Sequence, residues 1–209
     1  NLTFALKDKD QKMIMVTSSI SGEGKTFTAA NLATIIAMNN QKVLLVGCDL
    51  RKPALHKIFN ITNDIGITTF IIGEKELNEI VFQTNIDNLF LMPAGPVPPN
   101  PAELIETIKM KELFERVREE YDYIIIDTPP IALVADALSV ATYADFTLYL
   151  VRQNHSHKDV LEIANAMKQE EKLPKIYLLI NDIRPSRNMG MYYYYGYGKE
   201  YNYGYYDYK

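Results

Sequence analysis

The chain of 209 residues has no tryptophan, one cysteine and three histidines. The lone Cys48 excludes an internal disulfide framework and a CxxC metal site, and a reducing compartment is expected. No apolar run reaches the ~18–20 residues that a membrane-spanning helix needs, and no signal peptide is visible. The net charge of −4 lacks the basic excess of nucleic-acid-binding proteins, so we expect no nucleic-acid partner.

Short apolar segments alternate with helical patterns over most of the chain. Six segments, rich in β-branched or aromatic residues and apolar on both faces, predict strands at 13–17, 42–46, 89–92, 123–127, 146–151 and 175–181. Helical periodicity predicts helices at 25–38, 109–120 and 156–172. The alternation predicts an α/β fold with a doubly wound, mostly parallel sheet, forming one domain over residues 1–187.

The remaining residues, 188–209, have a different composition. Glycines interrupt this segment, no aliphatic residue follows Met191, and neither a helical nor a strand period is present, which indicates a flexible tail of exposed phenols. Five other tyrosines lie in predicted elements and are expected to be core or half-buried: Tyr121, Tyr123, Tyr143, Tyr149 and Tyr177. Ten of the fifteen tyrosines belong to the tail and are candidate phosphoacceptors: Tyr192, Tyr193, Tyr194, Tyr195, Tyr197, Tyr201, Tyr203, Tyr205, Tyr206 and Tyr208.

A phosphate-binding loop follows the first predicted strand. Residues 19–26 read Ser-Ile-Ser-Gly-Glu-Gly-Lys-Thr, a Walker A pattern between a strand and a helix, with Ser19 in place of the usual first glycine. Backbone N–H groups of this loop would cradle phosphate oxygens. Lys25 would reach the β- and γ-phosphates of ATP, and the Thr26 hydroxyl would ligate Mg²⁺. The predicted nucleotide-binding residues are Ser21, Gly22, Glu23, Gly24, Lys25, Thr26 and Phe27, with Asn181 at the end of the last strand.

Two more predicted strands end in acidic residues, Asp49 and Asp127. Ligands of open α/β sheets bind outside the carboxyl ends of the strands, so both carboxylates should lie beside the phosphate loop. There they would hold Mg²⁺ and orient the nucleophile. Arg51 would stabilise the transferred charge or join an interface, unless it is simply solvated. Asn181 would contact adenine through its amide, or it is a turn residue.

These motifs together resemble the cytoplasmic catalytic domain of the bacterial tyrosine kinases (BY-kinases) that control capsule and exopolysaccharide export. The resemblance rests on the Walker A loop, the Cys-Asp-Leu-Arg-Lys-Pro run at 48–53, the Asp-Thr-Pro-Pro run at 127–130 and the tyrosine tail. The proline-rich stretch at 95–104, which leads into a helix, adds to it. The similarity covers essentially the whole chain.

The resemblance implies a tyrosine autokinase that uses ATP and Mg²⁺ on a P-loop fold related to MinD/ParA-type ATPases. Its catalytic residues would be Lys25, Asp49, Arg51 and Asp127, with Thr26, Asp49 and Asp127 at the metal. It also implies a ring-shaped homo-oligomer that phosphorylates tails in trans, and a low-molecular-weight tyrosine phosphatase that reverses the modification. A membrane co-polymerase segment would anchor the domain on the cytoplasmic side of the inner membrane.

The chain departs from the family pattern at two places. The acidic strand usually reads Asp-x-Asp-x-Arg, and Gly47 replaces its first acid. Either Asp49 serves alone or catalysis is weaker. The family's Glu-x-x-Arg-x-x-Arg oligomerisation helix would precede Asn1, so we expect this fragment to be monomeric or weakly associated.

Two other functions remain open. A MinD/ParA-type ATPase switch would carry an additional lysine in the loop, where this chain has Ile20 and Ser21. A regulatory module that binds nucleotide without catalysis is favoured by Gly47. The three histidines lack metal-ligand neighbours in the sequence, and we interpret His56, His155 and His157 as surface or capping residues.

Overall fold

The computed structural model describes residues 11–132 and 136–184. The predicted tail, its boundary near residue 187 and the ten candidate phosphoacceptor tyrosines lie outside these ranges. The described chain contains seven strands and seven α-helices, with a 3-10 helix at Leu77–Glu79. The strands are β1 Met13–Ser18, β2 Val43–Gly47, β3 Phe82–Gln83, β4 Leu89–Met92, β5 Tyr123–Asp127, β6 Phe146–Arg152 and β7 Ile176–Asn181. The helices are α1 Lys25–Ala37, α2 Leu55–Ile58, α3 Ile67–Ile71, α4 Pro101–Ile105, α5 Ile108–Glu120, α6 Asp136–Ala141 and α7 Asp159–Gln169.

The seven strands form one sheet in the order β3-β4-β2-β5-β1-β6-β7. Every neighbouring pair is parallel except β3–β4. The predicted α/β fold with a mostly parallel sheet is therefore confirmed. Strand β5 lies between β1 and β2, so Asp127 lies between the loop that follows β1 and the residues that follow β2.

Helices cover the central strands on both faces because each presents an apolar stripe. The stripe of α1 is made of alanines, Ala29, Ala30, Ala33 and Ala37, whose small side chains allow the helix to lie close to the sheet. The stripe of α5 was predicted and is buried: Met110, Leu113, Phe114 and Val117. The Thr107 side chain caps α5 by accepting a hydrogen bond from the backbone N–H of Met110.

The predicted bounds are within one residue of the observed ones except in α7. That helix runs over Asp159–Gln169 and is three residues shorter at each end than the predicted 156–172. The side chain of Ser156 instead contacts the phosphate loop, and Glu171 adopts a positive φ of 51°. The sequence prediction also missed the two-residue antiparallel strand β3 and the short helices α2, α3 and α6.

The prediction that every strand is apolar and covered on both faces is wrong for β7. This strand forms the edge of the sheet, and Leu178 and Ile180 are more than half exposed. Tyr177, predicted to be core or half-buried, is also exposed. The other four tyrosines that were predicted to be core or half-buried are indeed buried or half-buried.

No helix within the described ranges is long and apolar enough to cross a bilayer.

Candidate active site

The phosphate loop connects β1 to α1 with a backbone that only glycine adopts without strain at two positions. Gly22 and Gly24 have φ values of 85° and 98°, in the left-handed region. Helix α1 begins at Lys25, directly after Gly24. The loop therefore ends at a helix N-terminus, where backbone N–H groups and the helix dipole favour an anion.

Lys25 lies at the start of α1 with its side chain largely buried. Burial lowers the pKa of its ammonium group, and the negative charges of Asp127, Asp49 and Glu23 act in the opposite direction. The fold thus brings a lysine of the first helix together with carboxylates from the ends of two other strands. This set of residues suits a triphosphate with a divalent cation, because a lysine can neutralise phosphate oxygens and carboxylates can bind the cation.

Asp127 ends β5 and is almost fully buried. Burial raises its pKa to about 7, Asp49 contributes in the same direction, and a hydrogen bond from Thr26 and the charge of Lys25 oppose the shift. Its Oδ1 atom is buried and has no hydrogen-bond partner among the described residues. A buried carboxylate oxygen with no donor, beside a threonine hydroxyl, fits a hard cation such as Mg²⁺.

Asp49 and Arg51 follow β2 but engage different partners. The Asp49 carboxylate accepts hydrogen bonds from the backbone N–H groups of Arg51 at 3.2 Å and Lys52 at 2.9 Å, which fixes this turn. The Arg51 side chain points to Asp136 at the start of α6, with Nε–Oδ2 and Nη2–Oδ1 distances of 2.7 and 3.1 Å. Arg51 is therefore ion-paired in this structure, not freely solvated.

The remaining predicted nucleotide-binding residues occupy different environments. Ser21 and Gly22 are exposed, and Phe27 projects outward from α1 with 66% of its surface exposed. Glu23 is fully buried, and its carboxylate accepts hydrogen bonds from the Ile20 N–H and from the Ser156 hydroxyl.

Asn181 reaches the phosphate loop from the end of β7. Its side-chain amide donates to the Glu23 carbonyl at 2.9 Å, and its side-chain carbonyl accepts from the Asp182 N–H at 2.9 Å. In this structure the amide nitrogen contacts the phosphate loop and the amide oxygen contacts the backbone of the residue that follows β7. Contact with adenine stays a prediction.

A small cavity lies beside Asp127 where the first acid of the family pattern is missing. Gly47, Asp49, His56 and Asp127 are among the residues that line it. His56 was predicted to be a surface or capping residue, but it is half-buried and its Nδ1 atom has no partner within the described chain. Burial, with a smaller contribution from Lys57, lowers its pKa.

The other two histidines lie in the loop between β6 and α7 and are exposed, as predicted. His157 pairs with Asp159 at 2.9 Å, and the Nε2 atom of His155 lies 3.0 Å from the Ser21 carbonyl oxygen.

The candidate cation site beside Asp127 has few protein ligands. Within residues 11–132 and 136–184, no three His, Cys, Asp or Glu side chains cluster as metal ligands. A cation at this site would therefore need oxygen atoms from nucleotide and water as well.

Sequence reasoning missed the residues that support the loop from outside. Arg152, at the end of β6, donates to the Gly22 carbonyl at 3.0 Å. Tyr149 is fully buried beneath the loop, with its hydroxyl 2.5 Å from Ser19 Oγ. These contacts join positions 130 residues apart in the chain. The one signal in the sequence is that Arg152 directly follows the predicted strand 146–151, and ligands of open α/β sheets bind outside the carboxyl ends of the strands.

Comparison with known proteins identifies the family. A profile of the AAA domain matches residues 11–180. The tyrosine-protein kinase YwqD of Bacillus subtilis is 40% identical over 159 residues, which span 76% of this chain and 67% of YwqD. The chain belongs to the bacterial tyrosine-protein kinases.

Solved structures agree with this assignment. The kinase domain of the Escherichia coli tyrosine kinase ETK superposes on this kinase with a TM-score of 0.80 and 31% identity, covering 88% of this chain and 73% of that one. The complete Etk protein is longer: a 34% identical match covers 73% of this chain but only 21% of Etk.

A more distant neighbour confirms the predicted relation of the fold to MinD-type ATPases. The septum site-determining protein MinD of Pyrococcus horikoshii, solved with Mg-ADP, has a TM-score of 0.70 over 84% of this chain and 72% of its own. At 23% identity this likeness shows the P-loop fold alone.

Proposed function

We propose that this kinase transfers the γ-phosphoryl group of ATP to tyrosines of its own C-terminal segment. The observation that carries the proposal is the grouping of Lys25, Asp127 and Asp49 around the phosphate loop, on a chain with ten tyrosines between residues 192 and 208. The phosphate loop supplies a site for the donor, and the tyrosine-rich segment supplies acceptors.

The roles of the residues follow from their positions. Lys25 neutralises charge on the β- and γ-phosphates, and Thr26, Asp127 and Asp49 hold Mg²⁺ directly or through water. The bound Mg²⁺–ATP supplies the transferable phosphoryl group. The phenolic oxygen forms the new bond to phosphorus while the bond from the γ-phosphorus to its bridging oxygen breaks, and the phenolic proton passes to a carboxylate, for which Asp49 is the candidate.

A tyrosine acceptor makes modest demands on a base. A phenol with a pKa of about 10 is far easier to deprotonate than an aliphatic hydroxyl. Phosphoryl transfer also depends mainly on positioning and charge neutralisation. The absence of an acid at Gly47 is therefore compatible with activity. Asn181 and Phe27 are proposed to contact the nucleotide, and Arg51 to act on the transferred charge if its pair with Asp136 opens.

We also propose that, in the longer parent protein, transfer occurs in trans within a ring-shaped homo-oligomer. Tyr192 is eight residues beyond Arg184, at most about 26 Å of extended chain at ~3.3 Å per residue. Tyr208 is 24 residues beyond Arg184, at most about 79 Å at ~3.3 Å per residue. Chain length therefore does not decide between the kinase's own site and a neighbour's, and the trans assignment rests on the family resemblance. The same resemblance supports a cytoplasmic position beside an inner-membrane co-polymerase segment, a low-molecular-weight phosphatase as partner, and a role in capsule or exopolysaccharide export.

The test is the intact mass of the full chain after incubation with Mg²⁺–ATP, with Lys25→Ala as control. Additions of about 80 daltons that map to residues 192–208 and are absent from the control are expected. Phosphate release without such additions would favour an ATPase switch. Nucleotide binding without release or labelling would favour the regulatory module that Gly47 suggests.

A further inference from the structure

Three consecutive carbonyl groups of the phosphate loop are each contacted from outside by a side chain. All three side chains come from the carboxyl end of β6, the loop that follows it, or the end of β7. The contacts are His155 Nε2 to Ser21 O at 3.0 Å, Arg152 Nη1 to Gly22 O at 3.0 Å and Asn181 Nδ2 to Glu23 O at 2.9 Å.

These contacts bear on the direction in which the loop presents its N–H groups. A nest for phosphate forms when successive N–H groups point inward, which requires the carbonyl groups to point away. Side-chain donors on the outer side stabilise that arrangement before any nucleotide binds. The positive φ values of Gly22 and Gly24 permit the backbone shape, but glycine alone does not hold it.

Arg152 is the charged member of this set and is itself held in place. Its Nε and Nη2 atoms donate to the Asp182 carboxylate at 3.2 and 3.1 Å, while Nη1 donates to Gly22. Its backbone N–H donates to Ser156 Oγ at 2.7 Å, and that hydroxyl donates to the buried Glu23 carboxylate. One guanidinium group thus joins the loop to the residue that follows β7.

We propose that Arg152, oriented by Asp182, is a positioning residue that pre-organises the phosphate loop for nucleotide. The proposal rests on the proposed function only in assuming that nucleotide binds at this loop. A purely structural ion pair would stabilise the fold without changing nucleotide affinity. Pre-organisation instead predicts a loss of affinity that exceeds any general loss of stability.

The test compares dissociation constants for Mg²⁺–ADP, measured by calorimetry on the full chain, with melting temperatures. We expect Arg152→Gln to weaken binding about tenfold, the scale of one lost charge-assisted hydrogen bond. Arg152→Lys should fall between Gln and the wild type, because an ammonium group reaches one partner but does not span both. Asp182→Asn should weaken binding by a smaller factor, since the donor to Gly22 remains but is held less firmly.

Arg118→Gln is the matched control, because Arg118 forms a similar, half-exposed ion pair with Asp145 at 2.6 Å, away from the phosphate loop. It should lower the melting temperature by a similar amount and leave affinity within about twofold of the wild type. Wild-type affinity in Arg152→Gln, or equal weakening in Arg118→Gln, would overturn the proposal. If the wild type binds Mg²⁺–ADP but never labels its tail, the kinase proposal fails while this comparison still stands.

Discussion

Gly47 and Asp127 are register partners on the neighbouring parallel strands β2 and β5. A side chain at position 47 would therefore project beside the buried carboxylate on which the candidate metal site depends. A Cβ atom placed there would lie 3.3 Å from the Ala94 nitrogen and 3.5 Å from Leu55 Cδ1, which is tight but not blocked. The family pattern has an acid at this position.

The first prediction is that Gly47→Asp increases the initial rate of tail phosphorylation at least about tenfold, because a second acid beside Asp127 would assist metal binding and proton transfer. The measurement is the rate of mass addition at limiting Mg²⁺. Gly47→Ala is the control, since it adds the same Cβ atom without the carboxylate. Equal rates in Gly47→Asp and Gly47→Ala would show that the missing acid does not limit this kinase.

The second prediction concerns the pH dependence of stability without nucleotide. Burial raises the pKa of the Asp127 carboxyl group to about 7 in the folded state, whereas it is about 4 in the unfolded state. As the pH rises above about 4, the unfolded state therefore loses the carboxyl proton before the folded state does. The folded state is therefore penalised increasingly up to about pH 7, and fully above it. Asp127→Asn carries no such proton and should increase the free energy of unfolding more at pH 8 than at pH 5. Urea denaturation at both pH values checks this, and an equal gain at both would contradict the assigned pKa.

The strands and the long helices could be predicted from local sequence because residues that pack into the core are apolar. In helices these residues recur with the helical period, and in covered strands they form short continuous apolar runs. The bounds of β4 and β5 were predicted without error. The edge position of β7 was not predictable, because its apolar residues Leu178 and Ile180 look like those of a buried strand. Which strand forms the edge depends on the order of the sheet, and that order is not a local property.

The same division holds for the site. The Walker A pattern and the strand-end Asp127 were found because phosphate and metal chemistry demand particular residue types at fixed spacing. Arg152 and Tyr149 were missed because an arginine or tyrosine in a strand carries no such pattern. Their roles arise only from the parallel order β5-β1-β6-β7, which brings the ends of β6 and β7 to the phosphate loop.

The third prediction tests the buried contact between Ser19 and Tyr149. Tyr149→Phe removes the hydroxyl that lies 2.5 Å from Ser19 Oγ, leaving that atom with a 3.5 Å contact to the Val160 carbonyl. We expect a loss of about 1 kcal/mol in the free energy of unfolding. Ser19→Gly, which restores the usual Walker residue, should cost less in the Tyr149→Phe background than in the wild type. Strictly additive losses in this double-mutant cycle would argue against a direct contact.

The fourth prediction concerns Arg51 and Asp136. Asp136 is 3% exposed while the Arg51 side chain is 42% exposed, so Arg51→Ala leaves a nearly buried carboxylate without its partner. We expect a loss of about 1–2 kcal/mol in the free energy of unfolding, between the values for surface and buried pairs. The double variant Arg51→Ala/Asp136→Asn should recover part of that loss, because the buried charge is removed. A double variant less stable than Arg51→Ala would mean that Asp136 has other essential partners.

The fifth prediction separates two reasons for glycine at position 24. Its φ of 98° disfavours any other residue, and an added Cβ would lie 2.3 Å from Asn181 Nδ2. Gly24→Ala should therefore abolish measurable Mg²⁺–ADP binding while the fold, followed by circular dichroism, survives. Asn181→Ala in the same chain removes the clash but not the backbone strain, so binding should return only part of the way to that of Asn181→Ala alone. Full recovery would assign the whole effect to the clash. No recovery, with Asn181→Ala alone still binding nucleotide, would assign it to the backbone conformation of the loop.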